Sequence, residues 1–505
     1  LSAAYSVVDS AGAEVTLANL GLATPTGTAR YTLGGTPNAS TYSLSYLGGL
    51  TLGGANAAGY TLNPYTTAGT YTITPRVLTV TGSSVAGKVY DNTATTTATV
   101  GTLSGFLGQE TVTATGVGAF TDVNAGSRTA TITYTLANGT NNGLATNYSL
   151  SPTTGHTATI SPANLVLTGT KVYDGATSVA GLNLTGTGLN GNSFAITGVG
   201  DASNLASRFV QQNSPLTSVT GLAIGASSNG GISSNYQLSV LSSSVSVTPK
   251  PITISGFGIA SKVYDGNTTA TIGSAGTLPG VYAGDDVSID TSAFVGVFDN
   301  KNVGTAHTVT VSGLGIGGNQ RNNYSFTAPT TALGTITRLN SVTWTGGATG
   351  NWFDPANWAG GAVPDLANVA NVVIPSGVTA TFGSTVVSPA VAGTVQIDSI
   401  NPGGASGGLS MTAGNLQVGS GGANLSNFSQ VDGTLAVAGN LSVTQSFSQA
   451  ATGSVAVTGN ASVTDTSGGL TLGALTVAGN LGLSSTGGNI TQVPGTALAV
   501  TGVSN

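Results

Sequence analysis

The sequence predicts an all-β protein built from tandem units, and three observations carry that prediction. Short segments alternate apolar residues with Thr or Ser, as in VLTVTG (77–82), TATITYTL (129–136) and HTVTVSG (307–313). This is the period of two that a half-buried strand requires. Gly, Asn and Asp punctuate these segments, as at Asn138-Gly139, Asp174-Gly175 and Asp265-Gly266. Whole blocks of sequence also return at fixed spacing. No window carries a long 3.6-residue periodicity with capping signals.

The repeat is defined by several markers. Lys-Val-Tyr-Asp occurs at 88–91, 171–174 and 262–265. Asn-Tyr places Tyr148, Tyr236 and Tyr324 at intervals of 88, with Tyr60 one interval upstream. Phe120, Phe209 and Phe298 are 89 apart, each followed four residues later by Asn124, Asn213 or Asn302. Strand ends at TITP (72–75), TISP (159–162), SVTP (246–249) and TITR (335–338) close each block. These markers divide the chain into a partial unit at 1–75 and full units at 76–162, 163–249 and 250–338. Each full unit is expected to be a small β-sandwich-like domain, immunoglobulin-like or β-grasp-like. Pro75, Pro162 and Pro249 leave no linker between units.

Beyond 338 the period changes. Gly439-Asn440, Gly459-Asn460 and Gly479-Asn480 are twenty residues apart, and Gly414-Asn415 reads as the same corner one longer turn upstream. A period of about twenty with Gly-Asn corners predicts a right-handed parallel β-helix of seven or eight coils over 339–505. Asn is expected to ladder from corner to corner, and Gly to supply left-handed backbone there.

Composition excludes several functions. Only 6% of residues are charged, with 11 Lys+Arg against 17 Asp+Glu and a net charge of -6. So few cations cannot track a phosphate backbone or dock on an anionic membrane, so nucleic acid is not expected as a partner. No stretch of about 18 apolar residues exists to span a membrane as a helix. With no Cys, thiol chemistry is impossible. Secretion as an unfolded chain is one reading of that absence. The chain opens at Leu1 without a basic-then-apolar leader and reads as a piece of something longer.

At KVYDGNTTAT (262–271) and its partners at 88–97 and 171–178, the chain resembles the YDG repeats of large bacterial exoproteins of the filamentous haemagglutinin, two-partner-secretion kind. Its first partial unit resembles the MBG repeats that neighbour them. WTGGATGNWFDPANW (344–358) with VVIP (372–375) is similar to a segment that accompanies β-helical regions in such surface proteins. The resemblance implies an extracellular or surface-displayed fibrous adhesin of a Gram-negative bacterium, serving adhesion or biofilm. It also implies an outer-membrane exporter and a host-surface, glycan or matrix-polymer partner. Two departures stand out: Asn92 where the other units have Gly175 and Gly266, and Pro215 with no G-x-x-T/H strand after Phe209.

In the Lys-Val-Tyr-Asp loops, Lys88, Tyr90, Asp91, Lys171, Tyr173, Asp174, Lys262, Tyr264 and Asp265 are expected to be structural. Val89, Val172 and Val263 would pack inward, the Tyr would cover the unit junction, and Asp-Gly would turn the chain. Tyr148, Tyr236 and Tyr324 are structural markers of the same kind. Trp344, Trp352 and Trp358, the only Trp residues, are expected either to cap the first coil or to offer stacking faces to a glycan. Asp285, Asp286, Asp290 and Asp299 lack the spacing of a calcium loop. Catalysis is not expected: His156 is read as a turn residue, and His307 lies in an alternating strand. No cofactor or metal is expected. An alternative function is a self-assembling filament or sheath subunit, favoured by low charge and by ends that fall within the repeat pattern.

Overall fold

The computed structural model describes residues 5–8, 22–33, 38–64, 69–383, 394–404 and 406–504. Throughout these residues the protein is all-β, and no helix exceeds a single three-residue 3-10 turn. The chain divides into two compact units, Leu1–Thr248 and Pro249–Asn505.

In the first unit, Leu22–Leu33, Ser40–Gly54 and Gly69–Ile73 form an antiparallel sheet, and Tyr5–Val8 pairs with Thr61–Pro64. Much of the expected MBG-like stretch lies outside the described residues. Strands then abut across each proline: Gly69–Ile73 is followed by Arg76–Thr81, and Thr153–Ser161 by Ala163–Val172. Between 76 and 161 the main sheet runs Ser84–Val85, Thr95–Thr99, Val112–Phe120, Gly126–Asn138, Thr153–Ser161 and Lys88–Val89. The Val112–Phe120/Gly126–Asn138 hairpin is its centre. Its inward row is Phe120, Ala130 and Ile132, all buried, as the alternation of Thr with apolar residues demands.

Two parallel pairings close this block. Tyr148–Leu150 pairs with Arg76–Leu78, and Ile160–Ser161 with Lys88–Val89. Both return in the next block, where Tyr236–Leu238 pairs with Ala163–Leu165 and Val247–Thr248 with Lys171–Val172. They return again in the second unit, as Tyr324–Thr327 on Lys250–Thr253 and Ile336–Thr337 on Lys262–Val263. The sheet order there is Lys262–Val263, Thr331–Thr337, Gly304–Ser312, Val295–Phe298 and Thr269–Ala270, the order of the 76–161 block read from its other end.

The block at 163–248 departs from this plan. Ala163–Val172 is one unbroken strand, so a single seven-stranded sheet forms. A short strand, Gln211–Pro215, does follow Phe209 and pairs with Ser244–Thr248 at the sheet edge. Proline is tolerated there because an edge amide has no ladder to serve. The Phe209 marker itself is out of structural register. Phe120 and Phe298 are buried and donate their amides to Ala94 and Thr268, four residues past the motif Tyr. The equivalent amide in the middle block is that of Leu205, bonded to Thr177, while Phe209 is exposed.

From 339 onward the strands pair in parallel. The path runs Leu339–Thr343, Val369–Val373, Val395–Ile400, Asn415–Gln430, Thr434–Val437, Ser454–Val457, Ala474–Val477 and Leu498–Val500. Thr434–Val437, Ser454–Val457 and Ala474–Val477 stack residue on residue at the twenty-residue offset. A second stack joins Leu441, Ala461 and Leu481. Leu435, Val437, Val455, Val457, Leu475 and Val477 point inward and are buried. At the Gly-Asn corners, the amide of Asn460 donates to Asn440 Oδ1 at 2.9 Å and that of Asn480 to Asn460 Oδ1 at 2.8 Å. Gly414-Asn415 is a different corner: Asn415 stacks on Thr434, whereas the residue above Leu441 is Ala423. The step from Asn415 to Thr434 spans nineteen residues and that from Ala423 to Leu441 eighteen, so a search for a constant period misassigns the corner.

Candidate functional site

Within each compact unit, sequence motifs gather at the joints between blocks. In each Lys-Val-Tyr-Asp loop the Lys Nζ meets the Asp carboxylate three residues on at 2.7 Å. It also donates to two backbone carbonyls, those of Thr93 and Thr95, Ala176 and Ser178, or Asn267 and Thr269. The Asp in turn accepts the amide two residues ahead, that of Thr93, Ala176 or Asn267. The Lys88 ammonium holds the Asp91 carboxyl below its usual range. Gly175 and Gly266 take the left-handed turn at φ 77° and 79°, and Asn92 takes it at φ 60°. Asn tolerates that region, which explains the departure at 92.

The inward-packing assignment of the motif valines is corrected. Val89, Val172 and Val263 are 58%, 51% and 52% exposed, whereas Lys171 is buried. On a strand, neighbouring side chains face opposite ways, and the Lys side is the one that fills the loop's ring of carbonyls. The Tyr that follows shares the Lys face and is buried in all three loops. Tyr90 packs edge-on against Tyr236 of the next block, with ring centroids 5.5 Å apart. Tyr264 donates to the Val363 carbonyl at 2.8 Å and to Asp365 Oδ1 at 2.9 Å. Burial, then the Asp365 charge, pushes its phenol well above the usual range.

Asn residues among the sequence markers form cross-block bonds that the markers themselves do not reveal. Asn235 Oδ1 accepts the Ala125 amide at 2.8 Å, and Asn235 Nδ2 donates to Asn124 Oδ1 at 2.8 Å. Asn147 makes the same two bonds to Ala39 and Asn38, at 2.7 and 2.9 Å. Asn368 makes them to Val303 and Asn302, at 2.8 and 2.9 Å. Thus at two of the Asn-Tyr corners, Asn147 and Asn235, the Asn interlocks with an Asn of the preceding block. In the third case the residues 365–368 supply the corner. The Asn124 and Asn302 positions and the Asn-Tyr corners recur in the sequence, but pairing across 66 to 111 residues is invisible to local pattern. Asn368 also donates to Asp365 Oδ1 at 2.7 Å, and Lys301 Nζ lies 2.6 Å from Asp365 Oδ2.

The Asn-Tyr tyrosines are buried. Tyr148 OH donates to Glu110 at 2.5 Å and Tyr324 OH to Asp285 at 2.6 Å. Burial and the Asp285 bond push Tyr324 up to about 12. Tyr236 OH instead accepts from Asn192 Nδ2 at 3.0 Å. Asp285 is therefore engaged by a tyrosine, Asp286 accepts the Asn319 amide, and Asp290 accepts the Ser292 amide. Among the described residues no cluster of metal-ligating side chains forms.

The three indoles form one cluster. Trp344 and Trp352 each stand edge-on to Trp358, at 5.0 and 5.1 Å, and Trp352 packs on Phe382 at 5.4 Å. Their exposures are 2%, 0% and 2%, and each indole N–H donates to a backbone carbonyl, of Gly347, Pro364 or Trp352. No ring face is left for a sugar, so the stacking-platform expectation for Trp344, Trp352 and Trp358 is not met. Asp354 caps the 3-10 turn Pro355–Asn357.

The imidazoles lie far from one another in sequence and differ in setting. His156 sits within the strand Thr153–Ser161 beside an irregularity in pairing, not in a turn, and contacts Thr153 Oγ1 at 2.6 Å. His307 is buried, with Nδ1 2.7 Å from Asp299 Oδ1 and its ring edge-on to Phe298. That bond is the first cause holding Asp299 below the usual carboxylate range.

Comparisons with known proteins give two findings and one absence. No curated protein matches the chain. A solved structure of a SusE-like surface-located polysaccharide-binding protein from the Bacteroides thetaiotaomicron heparin utilisation locus is similar at 11% identity and TM-score 0.11. The match covers 68% of this chain and 48% of that one, so the chain spans about half its length. The YDG domain family matches residues 74–155 and 248–332, the first and third of the blocks that carry Lys-Val-Tyr-Asp. The chain therefore contains a YDG domain at two places.

Proposed function

We propose that this chain is a segment of a secreted or surface-displayed fibrous adhesin, in which tandem β domains and a β-helix serve as a stiff spacer for cell adhesion or biofilm. One observation carries the reading: the same Asn–Asn bond, with its flanking backbone bond, recurs at three joints, those of 1–75 with 76–162, 76–162 with 163–249, and 250–338 with 339–505. A joint with two directional bonds and a packed tyrosine resists bending where a bare linker would not. The YDG domain at two places, the low charge and the absence of any helix long and apolar enough to cross a membrane among the described residues support the same reading.

The chain has no native Cys, so spin labels can be placed freely. Labels at Val117 and Val199, both exposed, report the joint between the 76–162 and 163–249 blocks. A narrow distance distribution is expected, broadened by Asn124→Ala. A broad distribution in the unaltered chain would refute the spacer.

A further inference from the structure

On the outer face of the parallel strands of the second unit lies a groove of about 590 Å³, within the size range of ligand clefts. We infer that this groove binds a neutral oligosaccharide. Its floor is the flat row Ala436, Ala438 and Ala456, whose partners Val437 and Val455 face the core. One wall begins at Val303, which the Asn302–Asn368 interlock fixes in place. Along the floor Gln396 stacks in register on Gln417. Neither amide group has a hydrogen-bond partner among the described residues, so each offers a donor and an acceptor to solvent.

The alternatives fit less well. An extended peptide would need an open strand edge, but every strand of the floor is already paired on both sides. An anionic polymer would need a free cation. The single cation in the lining, Arg338, holds both Asp398 oxygens through Nη1 at 2.9 and 3.0 Å and the Val369 carbonyl through Nη2 at 3.0 Å. What the groove presents is a shallow apolar floor with planar amides and no net charge. That suits a ring with one C–H face and outward hydroxyls, each able to donate and accept.

The probes are cellotetraose and chitotetraose, titrated into the full chain while alanine methyl resonances are followed by NMR. At least one probe is expected to shift the methyls of Ala436, Ala438 and Ala456. Gln417→Ala should weaken that binding about tenfold, the loss of roughly one good hydrogen bond. The double variant Ala438→Ile/Ala456→Ile fills the floor with residues suited to an exposed strand, and should abolish binding while keeping the unaltered melting temperature. Absence of shifts with both probes at millimolar concentration, or binding that survives the double variant, would overturn the inference. Neither result moves the spin-label distances, so this reading and the spacer reading fall separately.

Discussion

Removing the Asn368 side chain gives the sharpest test of the interlocks. Asn368 is 2% exposed and makes three side-chain bonds: it accepts from the Val303 amide and donates to Asn302 Oδ1 and Asp365 Oδ1. Two neutral hydrogen bonds at about 1 kcal/mol each and one to a carboxylate at about 1.5–3 kcal/mol give a cost near 4 kcal/mol for Asn368→Ala. Asp365 keeps Lys301 and Tyr264, so its buried charge is not stranded. For a unit the size of 249–505, that cost lowers the melting temperature by roughly 8–16 °C. Asn302→Ala removes only one of the three bonds and should cost about 1 kcal/mol. The double variant should be less destabilised than the sum of the two, by about 1 kcal/mol of coupling. Calorimetry of the full chain measures all three. A shift for Asn368→Ala corresponding to less than about 0.5 kcal/mol, the range of a neutral surface change, would refute the reasoning.

Other sites give independent outcomes. Trp352→Ala empties the centre of the indole cluster and should cost about 3–5 kcal/mol, read as a lower melting temperature. The unaltered protein should show blue-shifted tryptophan emission, and emission like that of free indole would contradict the burial of all three rings. Lys171→Met removes the cation from two carbonyls and Asp174 and should cost about 2–3 kcal/mol by denaturant titration, whereas Val172→Thr on the opposite face should change little. Asp465 accepts the amides of Gly468, Ser467 and Gly469, and these bonds hold its carboxyl below the usual range. Its contribution is therefore present above the unfolded value of about 3.9 and is lost as pH falls through the lower folded value. The stability gap between the unaltered chain and Asp465→Asn should close in acid, and a gap independent of pH from 2 to 7 would contradict that assignment.

Much of the fold was legible because the strands announce themselves. Alternating Thr and Val, Gly-Asn corners and proline-bounded strand ends depend only on neighbouring residues. What could not be read depends on which face a strand presents or on partners far along the chain. An apolar Val beside a charged Lys gives no local sign that the Val faces outward. The structure buries the Lys because a ring of carbonyls and one Asp satisfies it, which no local rule foresees. Phe209 kept the 89-residue spacing by coincidence, while Leu205 took the structural position. Gly414-Asn415 shares the corner dipeptide with Gly439-Asn440, twenty-five residues on, but Asn415 stacks on Thr434, only nineteen residues on. The nearness of the three indoles is visible in the sequence, but whether they face solvent or core depends on Phe382 and the 3-10 turns around them. The Asn pairs were markers in the sequence without a visible purpose, because each acts only on a partner in the adjoining block.

The measurement that bears most directly on the account is hydrogen exchange at the amides of Ala125 and Val303. Both lie outside the strands, so only the side chains of Asn235 and Asn368 can protect them. Exchange as slow as that of neighbouring strand amides, lost at Ala125 in Asn235→Ala and at Val303 in Asn368→Ala, is the predicted result. Exchange at the rate of an open loop in the unaltered protein would contradict it.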